Sequence, residues 1–228
     1  GLERQAATGG HDETAVLFLH DHAAAAVVHD FVQFHHRGSV RGDRDDRCVG
    51  VAVVLELSKS CRHAAVGCLD PGIGGDEADV TINPKFKDKL DFVDAMRDWS
   101  TEIKSKKQSA IILGDMNIAP LEHDVWSHKQ LLKVVSHTPI EVERFSAMQQ
   151  AANWVDTHRE YTPATEKLYS WWSYRNRDWK ASNRGRRLDH IWVTPALKPS
   201  LQNYHVMPDA RDMEKPSDHV PVSIVLGV

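Results

Sequence analysis

Long apolar runs, cysteine pairs and net positive charge are what this 228-residue chain lacks, and each absence removes a class of protein. No run approaches the ~20 apolar residues that cross a bilayer as a helix, so no transmembrane helix and no membrane partner are expected. The three cysteines, Cys48, Cys61 and Cys68, form no metal-type pair, and their odd number argues against a secreted disulfide framework. A reducing cytoplasm is the expected compartment. The formal net charge of −4 excludes a basic coat for nucleic acid, so contact with a polyanion requires a local patch. There is no basic segment followed by an apolar signal core, and the chain begins with Gly rather than Met, as a fragment would.

A second absence is local. Residues 1–72 contain no Ile, Asn, Tyr, Trp or Met, one lysine (Lys59) and one proline (Pro71), whereas every Trp and Tyr lies from Trp99 onward. Two vocabularies meet near "GIGGDEADVTINPKF", which divides the chain into an atypical His/Ala/Val-rich segment, 1–73, and a second part, 74–228. Three readings compete for the first. Its histidines (11, 20, 22, 29, 35, 36, 63) suit a metal-binding module, although their spacing is irregular and no cysteine joins them. It can be ordinary structure, with "AVLFLHDHAAAAVVHDFVQF" helical and "CVGVAVVLEL" a buried strand. The third reading is translation from the wrong frame or strand of a GC-rich gene, because the missing residue types are mostly those with AT-rich codons. That reading is preferred.

From Asn83 the pattern is regular. Pro84 suits a helix start, and Phe86, Leu90, Val93, Met96 and Ile103 recur at three- to four-residue spacing, which predicts an amphipathic helix. "SAIILGD" is a short continuous apolar run, fit for a strand buried on both faces. In "TPIEVERFSAMQQA" Thr138 is the N-cap, Pro139 the first helical residue and Glu141 the third, a capping box. "LYSWWSY", "RRLDHIWVT" and "VPVSIVLGV" read as strands. The class is α/β.

Residues two apart on a strand point the same way, so "AIILGDMNIAP" is expected to project Asp115 and Asn117 together from a strand end. A plain turn is the competing reading, since Gly, Asp and Asn all favour turns. The same grammar recurs in "RRLDHIWV" with Asp189 and in "PSDHVPV" with Asp218 and His219. A buried Asp requires a partner, whether metal, imidazole or arginine; Arg186 or Arg187 could serve Asp189. Between these sites "WWSYRNRDWKASNRGRR" carries Arg175, Arg177, Lys180, Arg184, Arg186 and Arg187 against the single acid Asp178. Aromatics interleaved with arginine suit a surface that grips phosphates and stacks bases, and a solvated charged loop is the blander reading.

Taken together, "GDMNIAP", "HDVWSHKQ", "YSWWSYR", "NRGRRLDHIWVT" and "SDHVPV" resemble, in order and spacing, exonuclease III and the apurinic/apyrimidinic endonucleases of the endonuclease/exonuclease/phosphatase superfamily. The resemblance covers about residues 74–228. It implies a four-layer αββα sandwich and hydrolysis of phosphodiesters in double-stranded DNA at abasic sites and 3′ ends. It also implies dependence on Mg²⁺ or Mn²⁺, a monomer, and a bacterial cytoplasm beside the nucleoid. By the same resemblance Asp115 activates water, Asn117 holds the phosphate, and His219, oriented by Asp189, stabilises developing charge. Asp218 serves the metal, and Trp171, Trp172, Arg175, Arg177, Arg184 and Arg186 contact DNA. Relatives also carry an Asn-bearing strand, a strand with the principal metal-binding Glu, and a Tyr turn. Upstream, Glu56 is the only Glu in a strand-like context, in different surroundings, and "CLDPGIGGDE" stands where the Tyr turn belongs. Alternatives are a catalytically defective DNA-binding remnant, another phosphatase of the superfamily, or a His-rich metal-binding protein.

Overall fold

The computed structural model describes residues 14–20, 23–28, 51–56, 64–68, 84–176 and 178–227. Its elements in chain order are β1 (Thr14–His20), β2 (Ala23–Val28), β3 (Val51–Glu56), β4 (Ala64–Cys68), α1 (Pro84–Ser105) and β5 (Ala110–Asp115). There follow α2 (His128–Leu131), α3 (Pro139–Ala152), β6 (Val155–Asp156), α4 (Thr157–Tyr161) and β7 (Trp171–Trp172). The chain closes with α5 (Trp179–Ser182), β8 (Gly185–Arg186), β9 (Asp189–Val193), β10 (Leu201–Val206) and β11 (Val222–Gly227).

The strands form a sheet of order β4-β3-β5-β9-β6, a sheet of order β10-β11-β1-β2, and the β7-β8 ribbon. The apolar run of β5 is buried along its whole length, as the sequence predicts. Strand alternation explains why both faces are covered. Ile111 and Leu113, with Ile191 and Val193 of β9, meet Val222, Ile224 and Leu226 of the opposite sheet. Ala110, Ile112 and Trp192 point the other way, onto Val93 and Ile103 of α1 and Phe145, Met148 and Ala152 of α3. The layers seen among the described residues are therefore helices, sheet, sheet.

Helix α1 opens at Pro84, as expected, and ends where Lys107 turns into the left-handed region with φ 53°. The predicted capping box of α3 is present: Thr138 N and Oγ1 donate to Glu141 Oε2 at 3.0 and 2.7 Å. The expected strand in "LYSWWSY" shortens to Trp171–Trp172, paired with Gly185–Arg186. The helical alternative is not adopted at residues 15–20 and 23–28, and the rest of that stretch lies outside the described residues. Instead β1 and β2 pair antiparallel, and β1 also pairs with β11 across nearly the whole chain. That long-range pairing satisfies the open edge of β11 and overrides the local helix preference of an alanine-rich segment. The His-rich stretches, apart from the backbone of His20, and the "CLDPGIGGDE" segment lie outside the described residues.

One buried charged group ties the connecting segments together. Arg187, 1% exposed, is held by two carboxylates. Nε and Nη2 donate to Asp124 at 2.8 and 2.9 Å, and Nη1 donates to both oxygens of Asp156 at 2.9 and 2.8 Å. Arg159 Nη2 adds a bond to Asp124 at 2.5 Å. Burial alone would raise the Asp156 carboxyl, but the adjacent guanidinium holds it below the usual carboxylate range. Two imidazoles lie in the same buried region. Burial, with the Arg187 charge, lowers His158 to about 3 and His190 to about 4, so both are neutral.

Arg187→Met leaves Asp156 uncompensated and Asp124 with Arg159 alone, and urea unfolding at neutral pH should show a loss of about 3–5 kcal/mol. The buried histidines set an acid limit. In the unfolded chain they protonate near pH 6.5 and in the folded chain only near 3 to 4. Their contribution is complete above pH 6.5 and declines as pH falls towards 4, by up to ~1.4 kcal/mol per pH unit for each histidine. Replacing His190 by Asn should flatten the dependence of unfolding free energy on pH between 6.5 and 4; an unchanged slope would show that His190 is protonated in the folded protein.

Candidate active site

The pairing of β5 with β9 places Asp115 directly opposite Asp189 at the end of both strands. Both share strand parity with Ile111, Leu113, Ile191 and Val193, so their side chains lie on the inter-sheet face where the apolar core runs out. The third member comes from the segment leading into β11. His219 Nδ1 lies 2.9 Å from Asp189 Oδ2, and Nε2 lies 3.6 Å from Asp115 Oδ2. All three are buried. Arginine is not the partner of Asp189: Arg187 is committed to Asp124 and Asp156, and Arg186 donates to Val135 O at 3.0 Å and Ser136 Oγ at 2.8 Å.

Asn117 does not reach the site by strand alternation. The strand ends at Asp115, and Asn117 has φ 51°, a left-handed conformation that asparagine tolerates better than most residues. It folds back so that its backbone N–H and its Nδ2 each donate to Asp115, both at 2.9 Å. The turn reading and the paired-chemistry reading of "GDMN" thus describe one feature. Three successive carbonyls then receive buried side-chain nitrogens: Asn117 O from Lys89 Nζ at 2.6 Å, Ile118 O from His190 Nε2 at 2.8 Å, and Ala119 O from His137 Nδ1 at 2.6 Å.

Ser170 was not singled out by the sequence. Its hydroxyl donates to Asp189 Oδ2 at 2.5 Å and accepts the backbone N–H groups of Leu188 and Asp189, each at 3.1 Å. A serine within an aromatic strand carries no signal until the opposing segment is known. The backbone around it also holds His219, through Trp172 N to Asp218 O at 2.9 Å and Val220 N to Ser170 O at 2.8 Å.

Burial raises the Asp115 carboxyl, and the Asp189 charge raises it further, against the lowering effect of His219, the Asn117 N–H and Lys89. Burial by itself would lower His219; the charges of Asp189 and Asp115 outweigh it and raise the imidazole well above its ordinary value. The cluster is an imidazolium wedged between two carboxylates. It offers a proton acceptor, a cationic donor and an amide at the shared end of β5 and β9.

One ligand atom each from Asp115, Asp189 and His219 lies within 4.8 Å of the others. Carboxylate oxygens suit a hard divalent cation that keeps several waters of its own. Asp218 is outside this group; its Oδ2 accepts the Trp171 indole N–H at 2.9 Å. Glu56 does not complete the set. It pairs with Ala110, at the opposite end of β5 from Asp115, about 17 Å away at ~3.4 Å per residue.

The basic loop divides by exposure. Arg175 and Arg184 are exposed, Arg184 lying over the Trp126 ring at 4.8 Å, whereas Arg186 lies 5.2 Å from the half-buried Trp171 ring. Trp172 is buried against Tyr169, Val220 and Trp179, with its indole N–H donating to Asn183 at 3.1 Å. Arg177 lies outside the described residues.

The chain is 31% identical over 144 residues to exodeoxyribonuclease III of Haemophilus influenzae, covering 60% of this chain and 53% of that protein. It superposes on an AP endonuclease from Archaeoglobus fulgidus with a TM-score of 0.60 and 27% identity, covering 64% of this chain and 56% of the other. A Neisseria 3′ phosphatase bound to product DNA hairpin gives a TM-score of 0.63 at 25% identity, over 75% and 63% of the two chains. These likenesses bear out the αββα sandwich class. The chain spans about half the length of the curated relatives it matches. The model of the endonuclease/exonuclease/phosphatase family matches residues 7–219, which takes in every described strand but β11 together with Asp115, Asp189 and His219, and the chain belongs to that family.

Proposed function

We propose that this chain is a metal-dependent phosphodiesterase of the exodeoxyribonuclease III type, acting on double-stranded DNA at abasic sites and 3′ ends. The observation that carries the reading is the Asp115–His219–Asp189 cluster at the inter-sheet edge, with Asn117 folded onto Asp115. Asp115 takes a proton from the attacking water as its oxygen bonds to phosphorus. The bond from phosphorus to the 3′ oxygen breaks, and that oxygen leaves with the bonding electron pair and takes a proton from solvent to become a hydroxyl. His219, kept cationic by Asp189, faces the negative charge that develops on the phosphoryl oxygens, a role for which a buried imidazolium is suited. The Asn117 amide holds the phosphate. Of the carboxylates brought together here, Asp115 and Asp189 would hold a magnesium or manganese ion, which would supply neutralisation of phosphoryl charge, and Asp218, expected to serve the metal, instead accepts the Trp171 indole N–H. Arg175, Arg184 and Trp171 supply backbone contacts and a stacking face, and the enzyme works as a monomer in a bacterial cytoplasm.

The test is incision of an abasic duplex oligonucleotide. Cleavage should require added Mg²⁺, stop with a chelator, and fall by about 10²–10⁴ in kcat for Asp115→Asn. Salt-sensitive binding of the duplex without any turnover would identify a DNA-binding remnant instead, a reading favoured by the position of Glu56 at the wrong strand end.

A second outcome follows from the raised His219 imidazole. Activity needs its protonated form, which is lost as pH rises through the folded-state value. Asp189→Asn removes the strongest raising charge. The alkaline limb of the pH–rate profile should therefore move to lower pH; a limb that stays in place would remove His219 as its origin.

A further inference from the structure

Lys89 stands apart from the other lysines of its helix. Lys87, two residues earlier, has a side chain 72% exposed, whereas that of Lys89 is 3% exposed. Burying an ammonium group and its flexible stem costs hydration and side-chain freedom, so such a placement calls for specific partners. The partners are Glu141 Oε1, 2.5 Å away, and the carbonyl oxygen of Asn117, 2.6 Å away.

Capping does not require the lysine. The Glu141 carboxylate already accepts from Ser136 N at 3.0 Å, Thr138 N at 3.0 Å and Thr138 Oγ1 at 2.7 Å. What Lys89 alone provides is a charged donor to the carbonyl of the one left-handed residue in the loop after β5, the residue whose side chain bonds Asp115. The neighbouring carbonyls of Ile118 and Ala119 are met by imidazoles that burial drives towards the neutral form. Of these three donors, only Lys89 brings a full charge.

We propose that Lys89 is a positioning residue: its ammonium group pins the backbone of Asn117 in the left-handed turn, so that the amide is preorganised beside Asp115 before substrate arrives. The role rests on the nuclease reading of the site, in which Asn117 touches the phosphate. It adds a polar contact from α1, a helix whose residues otherwise meet Met116 and Ile118 in an apolar cluster, and it makes Glu141 the link between α3 and the same loop.

Lys89→Met alone strands a buried carboxylate and can fail to fold, so the experiment is run in a Glu141→Gln background, where the pair is removed together. The full chain carrying E141Q is compared with K89M/E141Q, both checked by thermal unfolding. The double variant should lose about 10- to 100-fold in kcat on abasic duplex with KM little changed, the size expected for a reacting group displaced by about 1 Å. With Asn117→Ala added to both, the two should cleave at equal rates. The side-chain amide resonances of Asn117 should also shift between E141Q and K89M/E141Q. Unmoved amide resonances, or a loss on K89M that is the same with and without Asn117, overturns the proposal. If E141Q and the unmodified chain both fail to cut, it is the nuclease reading that fails, and the amide resonances still decide whether Lys89 holds Asn117.

Discussion

The contact on which the rest of the structure depends is the four-bond grip of Asp124 and Asp156 on the Arg187 guanidinium. Guanidinium does not lose its proton in a protein interior, so once Arg187 is buried its charge must be met by carboxylates. Those carboxylates come from the 3₁₀ turn Glu122–Asp124 and from the β6–α4 junction, two segments with little secondary structure to place them. Arg159 adds the second positive charge, which leaves a neutral buried quartet. Arg187 is two residues before Asp189, so the grip also fixes where β9 begins. Its backbone N–H, donating to Asp124 O at 2.8 Å, reinforces the same point.

Electrostatics then separate the interior into two zones. Around Arg187 the charges balance, and burial keeps His158 and His190 neutral. At the inter-sheet edge the carboxylates dominate, and His219 is held charged. Residues 189 and 190 sit on opposite faces of one strand, and that alternation alone assigns Asp189 to the site and His190 to the helix layer, against Phe145 and Trp192. The same imidazole chemistry is thus a structural donor on one face and a charged group on the other.

Much of this was legible in the chain. The apolar run ending in Asp115, the helix start at Pro84 and the capping box of Thr138 and Glu141 are local patterns, and each stands where the pattern puts it. Asp189 and His219 were found because strand grammar and motif order are also local. What escaped was decided by distant partners. Arg187 lies in a basic run that reads as a surface, yet carboxylates 63 and 31 residues away draw it inside. Lys89 looks like any charge on an amphipathic helix until Asn117, 28 residues on, is brought above it. The alanine-rich segment before residue 29 carries helix propensity and became a hairpin because β11 required an edge partner.

The opposition of Asp115 and Asp189 across β5 and β9 has a consequence for how such a sequence can change. A strand repeats every second residue, so adding or deleting one residue between Leu188 and Val193 would exchange the two faces and bring an imidazole where the carboxylate stands. Gains and losses within this strand are tolerable only in even numbers. Lineages descended from such a chain would be expected to conserve the length of β9 more strictly than its apolar side chains, and to place their insertions in the turns on either side.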